Sequence, residues 1–155
     1  MKQFIVILSV FFVLISGMAC LKDNSCKAKT VESEKATMLS YAASNGITAT
    51  EHSSGIMYQV VTAGSGPAPT LSSTVSVRYT GKLLDGTVFD SQTGNPISFP
   101  LNQVIPGWQI GLPLIQEGGL IKLIIPSSLC YGCTGVGAIP GNSVLYFEIQ
   151  LVDVQ

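Results

Sequence analysis

Near the C-terminus Leu145, Phe147, Ile149 and Leu151 alternate with Tyr146, Glu148, Gln150 and Val152. A helix would scatter these apolar side chains around its circumference, whereas a strand puts all four on one face, so the pattern demands a half-buried strand. The same period recurs upstream. Ile56, Tyr58 and Val60 alternate with Met57, Gln59 and Val61, and Val75, Val77 and Tyr79 alternate with Thr74, Ser76, Arg78 and Thr80. Leu120 to Ile125 is an apolar strand interrupted only by Lys122, and it stops at Pro126.

The connections read as turns and one helix. Asp85-Gly86, between Leu83-Leu84 and Thr87-Val88-Phe89, is a hairpin signal, because a tight turn needs residues that tolerate positive φ. Gly64-Ser65-Gly66-Pro67-Ala68-Pro69 is a loop. A short helix is predicted over Trp108 to Gln116, with Pro106-Gly107 before it and Gly118-Gly119 after it. Several antiparallel strands with one short helix define an α+β fold, a curved antiparallel sheet with a helix packed on one face. No internal repeat or low-complexity tract competes with this reading.

The first residues have a different character. Lys2 precedes an almost wholly apolar run from Phe4 to Ile15, and the small residues of Ser16-Gly17-Met18-Ala19 lead into Cys20, which is the layout of an export signal over residues 1–19. The run is shorter than the ~20 residues of a spanning helix and is followed by polar sequence. The site resembles the lipobox of bacterial lipoproteins, which makes Cys20 the expected lipidation site; Gly17 stands where Leu is commonest in that box, and ordinary signal-peptidase cleavage is the alternative. Cys20 to Lys29 reads as a flexible tether. Glu32 to Asn45 reads as a short helix with Met38, Leu39 and Ala42 on one side and Asn45-Gly46 as its stop, so residues 20–54 form a lipidated N-terminus, tether and helix ahead of a domain at 55–155.

A formal net charge of -1, a charged fraction of 11% and the lack of any Lys/Arg cluster provide no field for phosphates, so nucleic acid is not an expected partner. A metal site is not expected either, since Cys130 and Cys133 need two more ligands and His52 is the only histidine. Cys130-Tyr131-Gly132-Cys133 is a C-x-x-C, but it lies in a glycine-rich loop outside any βαβ pattern. A structural disulfide between Cys130 and Cys133 is therefore expected in an oxidising compartment, with Cys26 left over, ahead of thiol exchange.

Five segments in order, Val77-Arg78-Tyr79-Thr80-Gly81, Leu84-Asp85-Gly86-Thr87-Val88-Phe89-Asp90-Ser91, Val104-Ile105-Pro106-Gly107-Trp108, Tyr131-Gly132 with Ile139-Pro140, and Leu145-Tyr146-Phe147-Glu148, resemble FKBP-type immunophilins. The resemblance covers one full domain from Gly55 onward. It implies a twisted sheet around a short helix with an apolar pocket between them and peptidyl-prolyl cis/trans isomerase activity on proline-containing polypeptides, without a cofactor. Carried over by position, it makes Trp108 the pocket floor, with Tyr79, Phe89, Val104, Ile105, Ile139 and Phe147 as walls. Asp90 and Tyr131 become the polar groups, and the Ile105 backbone N–H the donor to a substrate carbonyl. The sequence departs from the family pattern at four places: no Arg accompanies Asp90 in the short segment Gln92-Thr93-Gly94-Asn95, Gln103 replaces a common acidic residue, Ile97 a common aromatic, and Val136 to Ile139 is one residue shorter than the family's loop.

These residue types suit the reaction. The X–Pro bond resists rotation with a barrier of ~18–20 kcal/mol that comes from amide resonance. Rotation decouples the nitrogen lone pair from the carbonyl, so the transition state is less charge-separated than the planar amide and is favoured by a water-poor apolar pocket. By pattern alone, aromatic residues at alternating strand positions are core residues. The expected product is a monomeric isomerase, lipid-anchored in the cell envelope and facing the periplasm or the cell surface; a non-catalytic peptide-holding chaperone that uses the same pocket is the alternative.

Overall fold

The computed structural model describes residues 26–155. The signal segment and Cys20 lie outside the described residues.

Six antiparallel strands form one sheet in the order β1-β2-β5-β6-β3-β4, where β1 is Thr50–Glu51, β2 Met57–Thr62, β3 Thr74–Leu83, β4 Val88–Pro100, β5 Leu120–Ile125 and β6 Leu145–Val154. The alternation in β6 does what the pattern requires. Leu145, Phe147, Ile149 and Leu151 are buried on one face with Val75 and Val77 of β3 and Ile121, Leu123 and Ile125 of β5. Helix α2, Pro106–Gly111, lies across this face, and Pro106 at its first turn starts it with φ already set. It ends sooner than the sequence suggests. Pro113 contributes no N–H to an α-helical ladder, so the chain tightens into a 3-10 turn over Leu112–Leu114. The helix rests directly on β5. A Cβ at Gly107 would lie 2.4 Å from Ile125, and one at Gly111 2.6 Å from Leu123, so only hydrogen at these two positions lets the backbone approach so closely.

The other face of the sheet is covered in part by the second short helix, the one expected over Glu32 to Asn45. Helix α1, Val31–Ser44, buries Met38 and Ala42 against Met57, Ile124 and Tyr146, which stand side by side across β2, β5 and β6. Thr30 caps α1 by accepting the Ser33 N–H. At the other end Gly46 takes φ +64° while the Ile47 N–H returns to the Ala42 carbonyl at 2.9 Å, which turns Ile47 into the same cluster.

The cysteine pairing differs from the sequence expectation. Cys133 is bonded to Cys26, 107 residues away, and Cys130 is free. The two side chains of the C-x-x-C diverge: Cys130 packs against the main core and donates to the Ile125 carbonyl at 3.8 Å, whereas Cys133 meets the segment leading into α1. Asn142 secures that segment further, accepting from the Lys29 N–H at 3.0 Å and donating to the Lys27 carbonyl at 2.9 Å. Residues 26–30, expected to be loose tether, are thus fastened to the loop after β5.

Candidate functional site

Trp108 is 4% exposed, and its position follows from the glycine beside it, because Gly107 brings α2 down until the indole lies within the sheet's concave face. Aromatic rings surround it. Tyr79 approaches edge-on at 5.1 Å between centroids, Phe147 edge-on at 5.3 Å and Phe99 tilted at 5.9 Å, while Phe89 stands edge-on to Phe147 at 5.6 Å. Edge-to-face contacts of this kind fix ring planes as well as burying area. Above the indole opens a cavity of about 280 Å³ lined by these five rings with Val104, Ile105, Gln103, Asp90 and Tyr131.

A break in strand pairing explains how the adjacent residues Phe89 and Asp90 both reach the cavity. Gly81 pairs with Asp90 but Lys82 pairs with Val88, so Phe89 is the extra residue of a bulge, and a bulge re-aims side chains that a regular strand would send to opposite faces. Gly81 is the counterpart of that bulge. A Cβ there would lie 2.7 Å from the Phe89 ring and 2.8 Å from the Phe147 ring, so the glycine leaves the room those rings occupy.

The polar edge of the cavity is organised around Asp90. With no arginine beside it, its Oδ2 accepts the Tyr79 hydroxyl at 2.5 Å. Burial first, and then Asp90, raises the Tyr79 hydroxyl far above its ordinary pKa. Tyr131, 37% exposed at the rim, is raised by burial, then by Cys130, then by Asp90, so both phenols are donors at neutral pH. Ile105 is the N-cap of α2; its carbonyl accepts the Trp108 and Gln109 N–H groups, while its own N–H precedes the helical ladder and meets no acceptor among the described residues.

Eight of the nine residues expected from sequence, Tyr79, Phe89, Asp90, Val104, Ile105, Trp108, Tyr131 and Phe147, therefore line one cavity. Ile139 does not. Its N–H and carbonyl pair with Val136 at 2.8 and 3.0 Å, which closes a tight loop and turns the side chain, 7% exposed, into the core. Phe99 lines the cavity without having been expected; the alternation Ile97-Ser98-Phe99 on β4 was the available signal. A roomier hollow of about 420 Å³ lined by Arg78, Thr80, Glu148 and Gln150 with Leu120 holds none of the ring cluster around Trp108 except Tyr79.

Residues 66–152 match the family model described as FKBP-type peptidyl-prolyl cis-trans isomerase. The chain belongs to this family. Among curated FKBP-type relatives it is 46% identical over 135 residues to the isomerase FkpA of Escherichia coli strain K12, covering 86% of this chain and 47% of that one. It is 46% identical over 116 residues to the FKBP-type 22 kDa isomerase of the same organism, covering 73% and 55%. The chain thus spans about half the length of the curated relatives it matches. The crystal structure of E. coli FkpA superposes with a TM-score of 0.72 at 45% identity, over 81% of this chain and 61% of that one. A peptidyl-prolyl isomerase structure from Pseudomonas syringae pv. tomato superposes at 0.69 and 34% identity, over 83% and 98%. The FKBP-like sheet and helix expected from the sequence are those observed.

Proposed function

We propose that this FKBP-type chain is a peptidyl-prolyl cis/trans isomerase that acts on proline-containing segments of exported polypeptides. The observation that carries the reading is the box of aromatic rings around Trp108, open on one side to Asp90, Tyr131 and the Ile105 N–H. The pyrrolidine ring lies over the indole and displaces water from the cavity. The Ile105 N–H receives a substrate carbonyl, which fixes the peptide without gripping the bond that must turn. In this setting the twisted amide, with its smaller charge separation, gains relative to the planar one, and each ~1.4 kcal/mol of that difference is tenfold in rate. Asp90, steadied by Tyr79, and the Tyr131 hydroxyl orient the rotating carbonyl electrostatically, and no proton is transferred.

The location follows from the first residues. Export by the segment 1–19 and lipidation at Cys20 would place a monomeric isomerase in the cell envelope with its pocket facing the periplasm or the cell surface. No helix among the described residues is long and apolar enough to cross a membrane.

The test is protease-coupled isomerisation of short Xaa-Pro peptides by the full-length chain in mild detergent, beside an Asp90→Val, Tyr131→Phe double variant. Acceleration that falls in the variant supports the reading. A folded wild-type chain that binds the peptides without accelerating them would make it a peptide-holding module instead. Detergent-phase partitioning of wild type against Cys20→Ser tests the anchor.

A further inference from the structure

Glu34 has no place in the pocket, yet its carboxylate is 2% exposed, and α1, which carries it, lies outside the segment matched by the family model. Its Oε2 accepts the Ser127 N–H at 2.9 Å across 93 residues of sequence. Ser127 opens the 3-10 turn Ser127–Leu129 that follows β5, and its carbonyl accepts two N–H groups, from Cys130 at 3.1 Å and from Gly132 at 2.9 Å. Those residues flank Tyr131 on either side. The Gly132 carbonyl in turn accepts the Asn142 N–H at 2.8 Å. Tyr131, whose own carbonyl accepts the Gly135 N–H at 3.2 Å, thus sits between two residues that share Ser127 as their hub, and Glu34 holds that hub from the opposite face of the sheet.

Stability alone is a poor reason for such a residue. Burying a carboxylate carries a desolvation cost, and here one hydrogen bond meets it while Oε1 is buried without a partner, although the place of Glu34 in the first turn of α1, at the positive end of the helix, reduces that cost. What a charge-assisted hydrogen bond provides and an apolar contact does not is direction. We infer that Glu34 is a positioning residue for Tyr131: through Ser127 it sets where the rim hydroxyl stands over the cavity. The inference rests on the isomerase reading for its effect on catalysis, but not for its effect on the loop.

The test compares Glu34→Ala, Glu34→Gln and Met38→Ala in the full-length chain. Met38 is buried on the same side of α1, among Met57, Ile124 and Tyr146, and takes no part in the hydrogen bond to Ser127, so its loss weakens the packing of the helix and spares that bond. Amide hydrogen exchange at Cys130 and Gly132 is measured first. The expected result is exchange at least tenfold faster in Glu34→Ala, close to wild type in Met38→Ala, and restored in Glu34→Gln, whose amide oxygen still accepts from Ser127. On Xaa-Pro peptides, kcat/KM should fall about fivefold to tenfold in Glu34→Ala through kcat and stay within twofold in the other two. Equal exchange in Glu34→Ala and Met38→Ala would overturn the inference whether or not the chain is an isomerase. Fast exchange with unchanged kcat/KM in an active chain would overturn its catalytic half alone.

Discussion

Removing the Cys26–Cys133 bond, by reduction or by Cys26→Ser, should lower stability substantially. The bond closes a loop of 107 residues. In the chain-entropy treatment a closure of that length removes about 16 cal/mol/K from the unfolded ensemble, a ceiling of ~4.8 kcal/mol at room temperature. The realised effect should be smaller, because Cys26 lies ahead of the Thr30 cap and is otherwise tied down mainly through Asn142; ~2–4 kcal/mol is expected. At about 4 °C per kcal/mol for a body of this size, the midpoint should drop by roughly 8–16 °C. Thermal melts followed by circular dichroism, with and without reductant, measure the shift, and non-reducing peptide mapping identifies the bond. Reduced wild type and oxidised Cys26→Ser should melt together. A mapped Cys130–Cys133 bond, or a midpoint unmoved by reduction, would refute the reasoning.

Gly81→Ala should push a methyl group into the Phe89 and Phe147 rings, costing ~1–3 kcal/mol and lowering kcat/KM about tenfold; melting and peptide isomerisation measure the two effects, and a variant normal in both would contradict the tight fit. Tyr79→Phe keeps the ring and frees Asp90, so a drop in kcat/KM of about threefold to tenfold is expected, in line with ~1 kcal/mol for one hydrogen bond. Burial, and then Glu34, raises the Cys130 thiol far above its ordinary range. Between the unfolded and folded values the folded chain holds the extra proton, so stability is complete below about pH 8.5 and declines above it by at most ~1.4 kcal/mol per pH unit for this one group. Urea midpoints at pH 7, 8.5 and 9.5 should show that decline in wild type and not in Cys130→Ala.

What could be read from sequence followed from where side chains face. β3 and most of β6 bury one face, so their alternation is visible, while β5 buries Ile124 on the second face as well and reads as an apolar run instead; the Asp85-Gly86 turn between β3 and β4 falls where expected. β4 is an edge strand of 13 residues, most of them exposed, and it tolerates Pro96 because an edge has no second partner to satisfy; beyond the short alternation Ile97-Ser98-Phe99 no periodicity betrays it. The bulge at Phe89 is likewise invisible to a period-two rule, and only the family register placed Phe89 and Asp90 together. The cysteines misled for a related reason: spacing measures proximity along the chain, whereas pairing depends on direction, and in this loop Cys130 faces inward while Cys133 faces the N-terminal segment. The second face of the sheet was legible in part, since Met38, Leu39 and Ala42 were assigned to one side of the α1 helix and Met38 and Ala42 are buried there while Leu39 is exposed, but nothing local shows that Met57, Ile124 and Tyr146 line up across three strands to receive it.

The strand order has a consequence in time. β6, Leu145–Val154, lies between β5 and β3 and pairs with both along most of its length. Until that segment has left the ribosome, the β3–β4 hairpin and the β1-β2-β5 group are two half-sheets, each with an open edge where the missing strand belongs. Closure depends on contacts between distant parts of the chain, which places folding toward the slower, millisecond-to-second end of the range for single domains. During that interval both edges are templates for the wrong strand. A protein proposed to shorten the waiting time of other chains must therefore itself wait for β6, and its own sheet is most exposed to mispairing just before that strand arrives.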